Sequence, residues 1–435
     1  EELATSFKDQ LKSKEKDSLA DTIDEKSLAA LNRGDISVFV NVPELLEVYK
    51  DEFQAIQAQV ETIKDQKADN DTPGVNTAAL MEKLQGIATH LVKAIEDHEG
   101  ITLSLAFTDK DLVIEEYFKL NDESDTGKGL KGGTGSEMPL LNSLPADAIG
   151  YYGVQCNLGD LIAWGVDFAE AVITDEKALG VLKTTVAELK GIKFGGLAGA
   201  VNFGDDAEQG LLQMVNLMSV DTPLKLRALA KKYAESVKEF EANGTKTEIT
   251  YKPDAEKVGK NSVDVTTAKV TISDDAPNAE QQRALIKVLY GVEGTETRSV
   301  YLKDKVVQTT GGGTAAIEAA LKAVESPSKT PAASLQAVKA KLGSKPNFIG
   351  LVDLATLAVK GLGAAKQFGG EDLPFDPEEV VKGLTVTPSY LGFGIEVQDA
   401  AVSVKTVVPV DQIKNLFKLG MKIQAAQSAG KKDDN

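Results

Sequence analysis

Short apolar runs recur along the chain. Each is introduced by Gly, Pro or Asp and followed by a stretch of helical period. The run at 36–42 (ISVFVNV) follows Gly34-Asp35, the run at 149–154 follows Pro145 and Asp147, and the run at 348–352 follows Gly343 and Pro346. Turn residues ahead of a β-branched and aromatic run predict a strand. Behind the first run, Leu45, Leu46, Tyr49, Phe53, Ile56 and Val60 recur near the 3.6-residue period, which predicts a helix over 43–60. Residues 158–172 and 354–368 hold the same place behind the second and third runs, with Asn157 and Asp353 as expected N-caps.

Each block then closes with a hairpin. The pattern predicts strands over 101–107 and 112–120 around a turn at Thr108 to Asp111. The same pattern recurs at 195–203 and 210–220 around Gly204 to Asp206, and at 390–397 and 401–408 around Gln398-Asp399. Helices are expected at 223–242 and 409–426, with Pro223 and Pro409 in first turns. Within the middle block, a strand over 263–272, a helix over 279–290, a hairpin over 299–309 turning at Lys303-Asp304, and a helix over 314–324 read as an insertion.

The resulting expectation is an α+β protein. Three weakly similar strand–helix–β-hairpin–helix repeats form antiparallel sheets packed by long amphipathic helices. Residues 1–30 read as an N-terminal helical arm and 31–135 as the first repeat. The second spans 136–326, with an inserted strand–helix–hairpin subdomain from about 245 to 326. The third spans 335–427, and 428–435 read as a disordered tail. Polar or Gly- and Pro-rich joins are expected at 64–77, 121–138 and 325–334.

Composition narrows the function classes. The chain has 435 residues, 42% of them hydrophobic, enough for a sizeable core without staples. Lys and Arg number 48 against 66 Asp and Glu, a net charge of −18. That sign repels phosphate backbones and anionic headgroups, so nucleic acid is not an expected partner. The single cysteine, Cys156, admits no intrachain disulfide and no cysteine-rich metal site, and it reads as a small half-buried residue. No apolar stretch reaches the length of a transmembrane helix. The opening Glu1-Glu2-Leu3-Ala4-Thr5 reads as a polar start consistent with removal of an export signal.

Catalytic and ligand motifs are weak. His90 and His98 are eight residues apart in a helix expected over 79–99, not the four that put two imidazoles on one helix face for zinc. Gly127-Lys128-Gly129-Leu130-Lys131-Gly132 is formally G-x-G-x-x-G, but no helix is expected to open at its end and the segment reads as a linker. Gly311-Gly312-Gly313 lies between a strand and a helix, where amides can hold an anion. The favoured reading is a tight turn with Thr314 as helix cap. Asp69-Asn70-Asp71 begins like a calcium loop, yet Leu80 stands where a bidentate Glu is needed. Asp205-Asp206 reads as turn chemistry and Asp274-Asp275 as helix-dipole partners. Asn243-Gly244-Thr245 matches a glycosylation acceptor. No catalytic, cofactor-binding or metal-binding residue is singled out, and no cofactor is expected.

The phrases at 140–154 (LLNSLPADAIGYYGV), 300–313 (VYLKDKVVQTTGGG) and 35–46 (DISVFVNVPELL) resemble uncharacterised exported proteins of planctomycete-type bacteria. That resemblance implies a signal-peptide-bearing protein of the periplasm or cell surface, and supplies no reaction or site residues. The expected function is that of a non-catalytic exported structural or interaction protein, self-associating or joined to other cell-envelope proteins. A carrier of lipid or another apolar ligand is the alternative, and a carboxylate-based hydrolase a further one.

Overall fold

The computed structural model describes residues 23–63, 77–155, 176–204, 210–242, 245–327, 333–365 and 375–430, save a few single positions inside these spans. Of the expected helix over 158–172 only Val166 is described, helical and buried; its cap Asn157, Cys156, Asp69 to Asp71, Asp205-Asp206 and Asn243-Gly244 lie outside the described residues.

Helix α1 (Glu25–Arg33) is capped by the Asp24 carboxylate and leads into β1 (Ile36–Asn41). Helices α2 (Val42–Val48), α3 (Lys50–Glu61) and α4 (Thr77–Glu96) follow, then the hairpin β2 (His98–Phe107) and β3 (Asp111–Leu120). Next come α5 (Asp125–Leu130), a 3-10 turn at Pro139–Ser143, β4 (Gly150–Val154), α6 (Glu176–Leu189), and the hairpin β5 (Phe194–Phe203) and β6 (Leu212–Val220). Helix α7 (Pro223–Ser236) precedes β7 (Glu239–Ala242), β8 (Thr245–Val258) and β9 (Asn261–Ile272). After these stand α8 (Ala279–Tyr290) and the hairpin β10 (Thr295–Tyr301) and β11 (Lys305–Thr310). Helices α9 (Gly313–Glu325) and α10 (Ala333–Lys339) lead to β12 (Phe348–Val352), α11 (Leu354–Ala365) and α12 (Pro377–Val381). The chain then forms the hairpin β13 (Leu391–Gln398) and β14 (Ala401–Pro409), and ends in α13 (Val410–Gly430).

All fourteen described strands belong to one antiparallel sheet, ordered β1-β2-β3-β14-β13-β12-β4-β5-β6-β11-β10-β9-β8-β7, where several small sheets were expected. Four segments share the order strand, helix, hairpin: β1 to β3, β4 to β6, β9 to β11 and β12 to β14. They meet through like strands, third to third at β3·β14 and β6·β11, first to first at β12·β4. Adjacent segments are therefore inverted, and their helical excursions leave alternate ends of the sheet.

The main core lies on one face, called here the inner face. Following the register, Ile349, Gly153, Ala198, Leu217, Val307 and Val300 form one row across six strands, and Val263 of β9 joins the same core. The six of these with side chains are at most 1% exposed. Burying such residues stabilises by roughly 1.5–3 kcal/mol each. Ile317, Ala320 and Leu321 of α9, and Leu335 and Val338 of α10, cover them. Glycine permits close approach: a Cβ on Gly394 of β13 would stand 2.9 Å from the Leu342 carbonyl oxygen.

Several boundaries differ from expectation for visible reasons. The helix expected over 223–242 ends at Ser236, because Glu239–Ala242 pairs with Thr245 to Glu248 as β7. The fourteen-residue β8 carried little signal: it has few apolar residues, and a bulge between Lys252 and Glu256 spans Pro253. The helix over 43–60 breaks at Tyr49, whose φ is −106° and ψ 33°. Pro409 pairs with Asp111 at the end of β14 rather than opening a helix. The segment at 121–138, read as linker, holds α5, with Ser124 accepting from the Gly127 amide as its cap. Residues 428–430, assigned to the tail, continue α13.

Charged side chains lock helices to the sheet. Asp264 of β9, 1% exposed, accepts two hydrogen bonds from Arg227 of α7 at 2.6 and 2.7 Å. It also accepts one from the Asp254 amide at 2.9 Å and one from the Tyr251 hydroxyl. Burial alone would raise the Asp264 pKa, but Arg227, Tyr251 and the amide together hold it below the usual carboxylate range. The expected Asp353 cap is present. Its carboxylate accepts from the Thr356 amide at 3.0 Å and from Ser389 N at 3.2 Å.

Asp264→Asn is expected to lower stability by about 2 kcal/mol, since it leaves the partly buried Arg227 guanidinium with only the more exposed Asp254 carboxylate, 3.0 Å away, as its ionic partner. The depressed folded pKa sets the sign of the pH dependence. The carboxylate's contribution is complete above its unfolded value near about 4 and declines as pH falls toward the folded value. Urea unfolding from neutral pH into acid measures both: the variant starts lower and loses that part of the acid slope.

Candidate functional site

The strands of the first segment are patterned inside out. In β2 the alternation Ile101-Thr102-Leu103-Ser104-Leu105-Ala106-Phe107 places Thr102 and Ser104 at 0% and 3% exposure. Leu103 and Phe107, on the opposite face, are 38% and 58% exposed. β1 repeats the inversion, with Ile36 and Val38 more than half exposed and Ser37 turned inward. In β3 the residues buried on the inner face are Asp111, Glu115 and Tyr117.

Helix α1 makes the buried polar side tenable. The Ser104 hydroxyl donates to the Ala30 carbonyl at 2.9 Å, and the Ser37 hydroxyl to the Leu31 carbonyl at 2.8 Å. Arg33 forks onto Glu115 at 2.6 and 2.9 Å, and Lys405 approaches the same carboxylate at 3.4 Å.

The outer face is correspondingly apolar. One row in register runs through Val38, Leu103, Glu116 and Val404, and continues through Ile395, Phe348, Val154, Leu197 and Met218. All but Val38 and Leu103 are half-buried. Aromatic rings on this face lie down over glycines: a Cβ on Gly199 would meet Tyr152 Cζ at 2.3 Å, and one on Gly350 would meet Phe348 Cε1 at 3.3 Å. Phe348 packs edge-on to Phe393 at 6.1 Å between centroids, and His98 to Phe118 at 5.9 Å. The Tyr152 hydroxyl donates to Asn216 Oδ1, and burial raises its pKa. Beyond the middle of the sheet this face is closed over by α7 and the end of α6, through Leu229, Leu226 and Leu189 against Val220, Val306 and Tyr301.

The motifs singled out in the sequence fall elsewhere and do not converge. His90 lies in α4, whereas His98 opens β2 rather than extending the helix. Among the described residues no three His, Cys, Asp or Glu side chains cluster as metal ligands. Gly127 to Lys131 lies in and just after α5, and Gly132 lies outside the described residues. Gly311, Gly312 and Gly313 all have positive φ, between 61° and 73°, and form the turn into α9. Gly312, not Thr314, is the cap residue, and the Thr314 hydroxyl donates to Glu256 at 3.0 Å. The cleft beside this turn is lined by Glu296 and Arg298. Arg298 is itself engaged by Glu256 at 2.8 Å and by Glu296, so no free cation there favours an anion. Asp274 pairs with Arg283 of α8.

Sequence reasoning missed the outer face because alternation marks a two-sided strand without saying which side is solvated. The available signal was the alternation of apolar residues with Thr and Ser in β2 beside Glu115 and Tyr117 in β3. Gly199→Ala is expected to push Tyr152 off the sheet, break its bond to Asn216 and cost about 1–3 kcal/mol. Thermal unfolding checks the stability, and a change in tyrosine fluorescence reports the ring.

Compared with protein-family models, with curated proteins and with solved structures, the chain gives no match in any of the three.

Proposed function

We propose that the protein is a non-catalytic binder of a lipid or another apolar molecule, held against the outer face of β1 to β3 and the strands beside them. The inside-out patterning carries this reading. Leaving Ile36, Val38, Leu103 and Phe107 exposed while burying Thr102, Ser104 and Glu115 forgoes hydrophobic stabilisation on both faces. A surface of that kind marks a contact made with something else. The backbone behind it is hydrogen-bonded within the sheet, so the face offers non-directional apolar contact. That suits an acyl chain, which has no hydrogen bonds to satisfy. Among the described residues no helix is long and apolar enough to cross a membrane. We place the binder in the periplasm or at the cell surface, in keeping with the motifs at 35–46, 140–154 and 300–313. We also infer that the four strand–helix–hairpin segments are diverged copies of one unit.

Native mass spectrometry on protein from its own source is expected to show an added mass of lipid size, and the stripped protein to take up a fluorescent fatty acid saturably. Leu103→Glu with Phe107→Glu, both at exposed positions, is expected to weaken uptake at least tenfold with an unchanged melting midpoint. A bare mass together with no saturable uptake would overturn the proposal.

A second reading, self-assembly, has its own observation. Helix α13 buries Gln412, Asn415 and Leu419 but exposes Ile413, Phe417 and Met421, spaced four residues apart, at 52%, 70% and 54%. An apolar stripe at that spacing is a helix-pairing surface. Sedimentation is expected to show multimers that Phe417→Glu reduces to monomers. A wild-type protein that sediments as a monomer at high concentration excludes this reading.

A further inference from the structure

The apolar row on the outer face is interrupted at β3 by Glu116. Its direct cross-strand neighbours are Leu103 of β2 and Val404 of β14. Ile114 and Phe118 flank it along its own strand, and the diagonal positions hold Ile101, Leu105, Val402 and Thr406. All of these are apolar except Thr406, which contributes a hydroxyl. Glu116 is itself half-buried, and no described residue pairs with its carboxylate.

Other carboxylates set into the sheet are met by cations of this chain. Glu115, the preceding residue but on the inner face, is held by Arg33 and Lys405. Asp111 is paired with Lys341, Asp264 with Arg227 and Glu256 with Arg298. Glu116 loses part of its hydration to apolar neighbours and receives no counter-charge in return. A carboxylate so placed repels an anionic head group on an apolar ligand and attracts a cationic one.

Beside Glu116 runs an apolar lane along the β2–β3 hairpin. Leu105 faces Ile114 and Phe107 faces Leu112, in register toward the turn at Thr108. From Glu116 to Leu112 is four residues of strand, about 14 Å. A lipid chain spans roughly 15 Å in one half of a bilayer core, so the lane matches one chain in length.

On the reading that this face binds an apolar molecule, we infer that its ligand is a long-chain amine. The primary ammonium would donate to the Glu116 carboxylate and the Thr406 hydroxyl, while the chain lies over Leu105, Ile114, Phe107 and Leu112. A fatty acid occupies the same lane with its carboxylate turned away from Glu116, and binds more weakly.

Displacement of a bound fluorescent fatty acid from the full chain tests the head group. The competitors are decylammonium chloride and sodium decanoate, matched in carbon number and kept below their micelle concentrations. Decylammonium is expected to displace the probe at a concentration at least tenfold lower than decanoate. Glu116→Gln is expected to abolish that preference and Glu116→Lys to reverse it. Both variants change a half-buried surface position and are expected to keep the wild-type melting midpoint, so a changed order reports the head group and not the fold. The net charge of −18 attracts cations to the whole surface, but Glu116→Gln alters it by a single unit. A preference that survives Glu116→Gln therefore comes from the surface at large and overturns the assignment. Equal displacement by the two competitors also overturns it, while leaving the apolar-binder reading in place. No saturable uptake of the fluorescent fatty acid removes both.

Discussion

The structure depends on continuity of one hydrogen-bonded ladder. A three-stranded segment on its own has two open edges, each a row of unpaired amides and carbonyls that recruits other chains. Here four such segments share their edges, and only β1 and β7 end the described sheet. Because every joint is antiparallel and joins like strands, each segment must be inverted relative to its neighbours. That one constraint sends the helical excursions to alternate ends of the sheet. It leaves long stretches of both faces to be covered by short helices arriving from either side.

Cover is unequal as a result, and the two halves of the sheet answer it differently. From β12 to β9 the inner face is aliphatic, and α9, α10 and the 3-10 turn close over it. From β1 to β14 the inner face is polar. There α1 is held down by hydroxyl-to-carbonyl bonds and the Arg33–Glu115–Lys405 cluster. Polar anchoring of this sort contributes less than aliphatic packing but fixes position closely, since each bond is directional. The Asp264 cluster does the same for α7 at the other end. Its charge is tolerable in the interior only because four donor atoms meet it.

Strand and hairpin positions were legible because their signals are local. The turn at Thr108 to Asp111 and the β-branched runs around it carry their own structure, as do Gln398-Asp399 and the flanking strands. The helix over 279–290 was found to the residue. β8 was not legible, because a strand near the sheet's end has little apolar face to show and this one is interrupted at Pro253. The merging of all strands into a single sheet was hidden as well. The pairings β3·β14 and β12·β4 join residues some two hundred to three hundred positions apart in the chain, and no local pattern encodes them. The outer face proposed for binding was not legible: it rests on which side of a strand faces the helices, and a period of two does not contain that information.

That ambiguity bears directly on the face proposed for binding. Natural sequences agree with their fold at most positions and depart from it where another demand intervenes. In β4, β5 and β12 the alternation obeys the ordinary rule, with Tyr151, Ala198, Ala200, Ile349 and Leu351 inside. In β1, β2 and β3 it is reversed, and both faces of the same strands depart together: apolar groups meet solvent on one, polar side chains are buried on the other. A fold optimised for stability alone would exchange the two sets by moving each strand one residue in register. The hairpin turn at Thr108 prevents that shift by fixing the partners of Asp111. The reversed strands are thus pinned in place, and their apolar set stays on the outer face although burial there would stabilise it more.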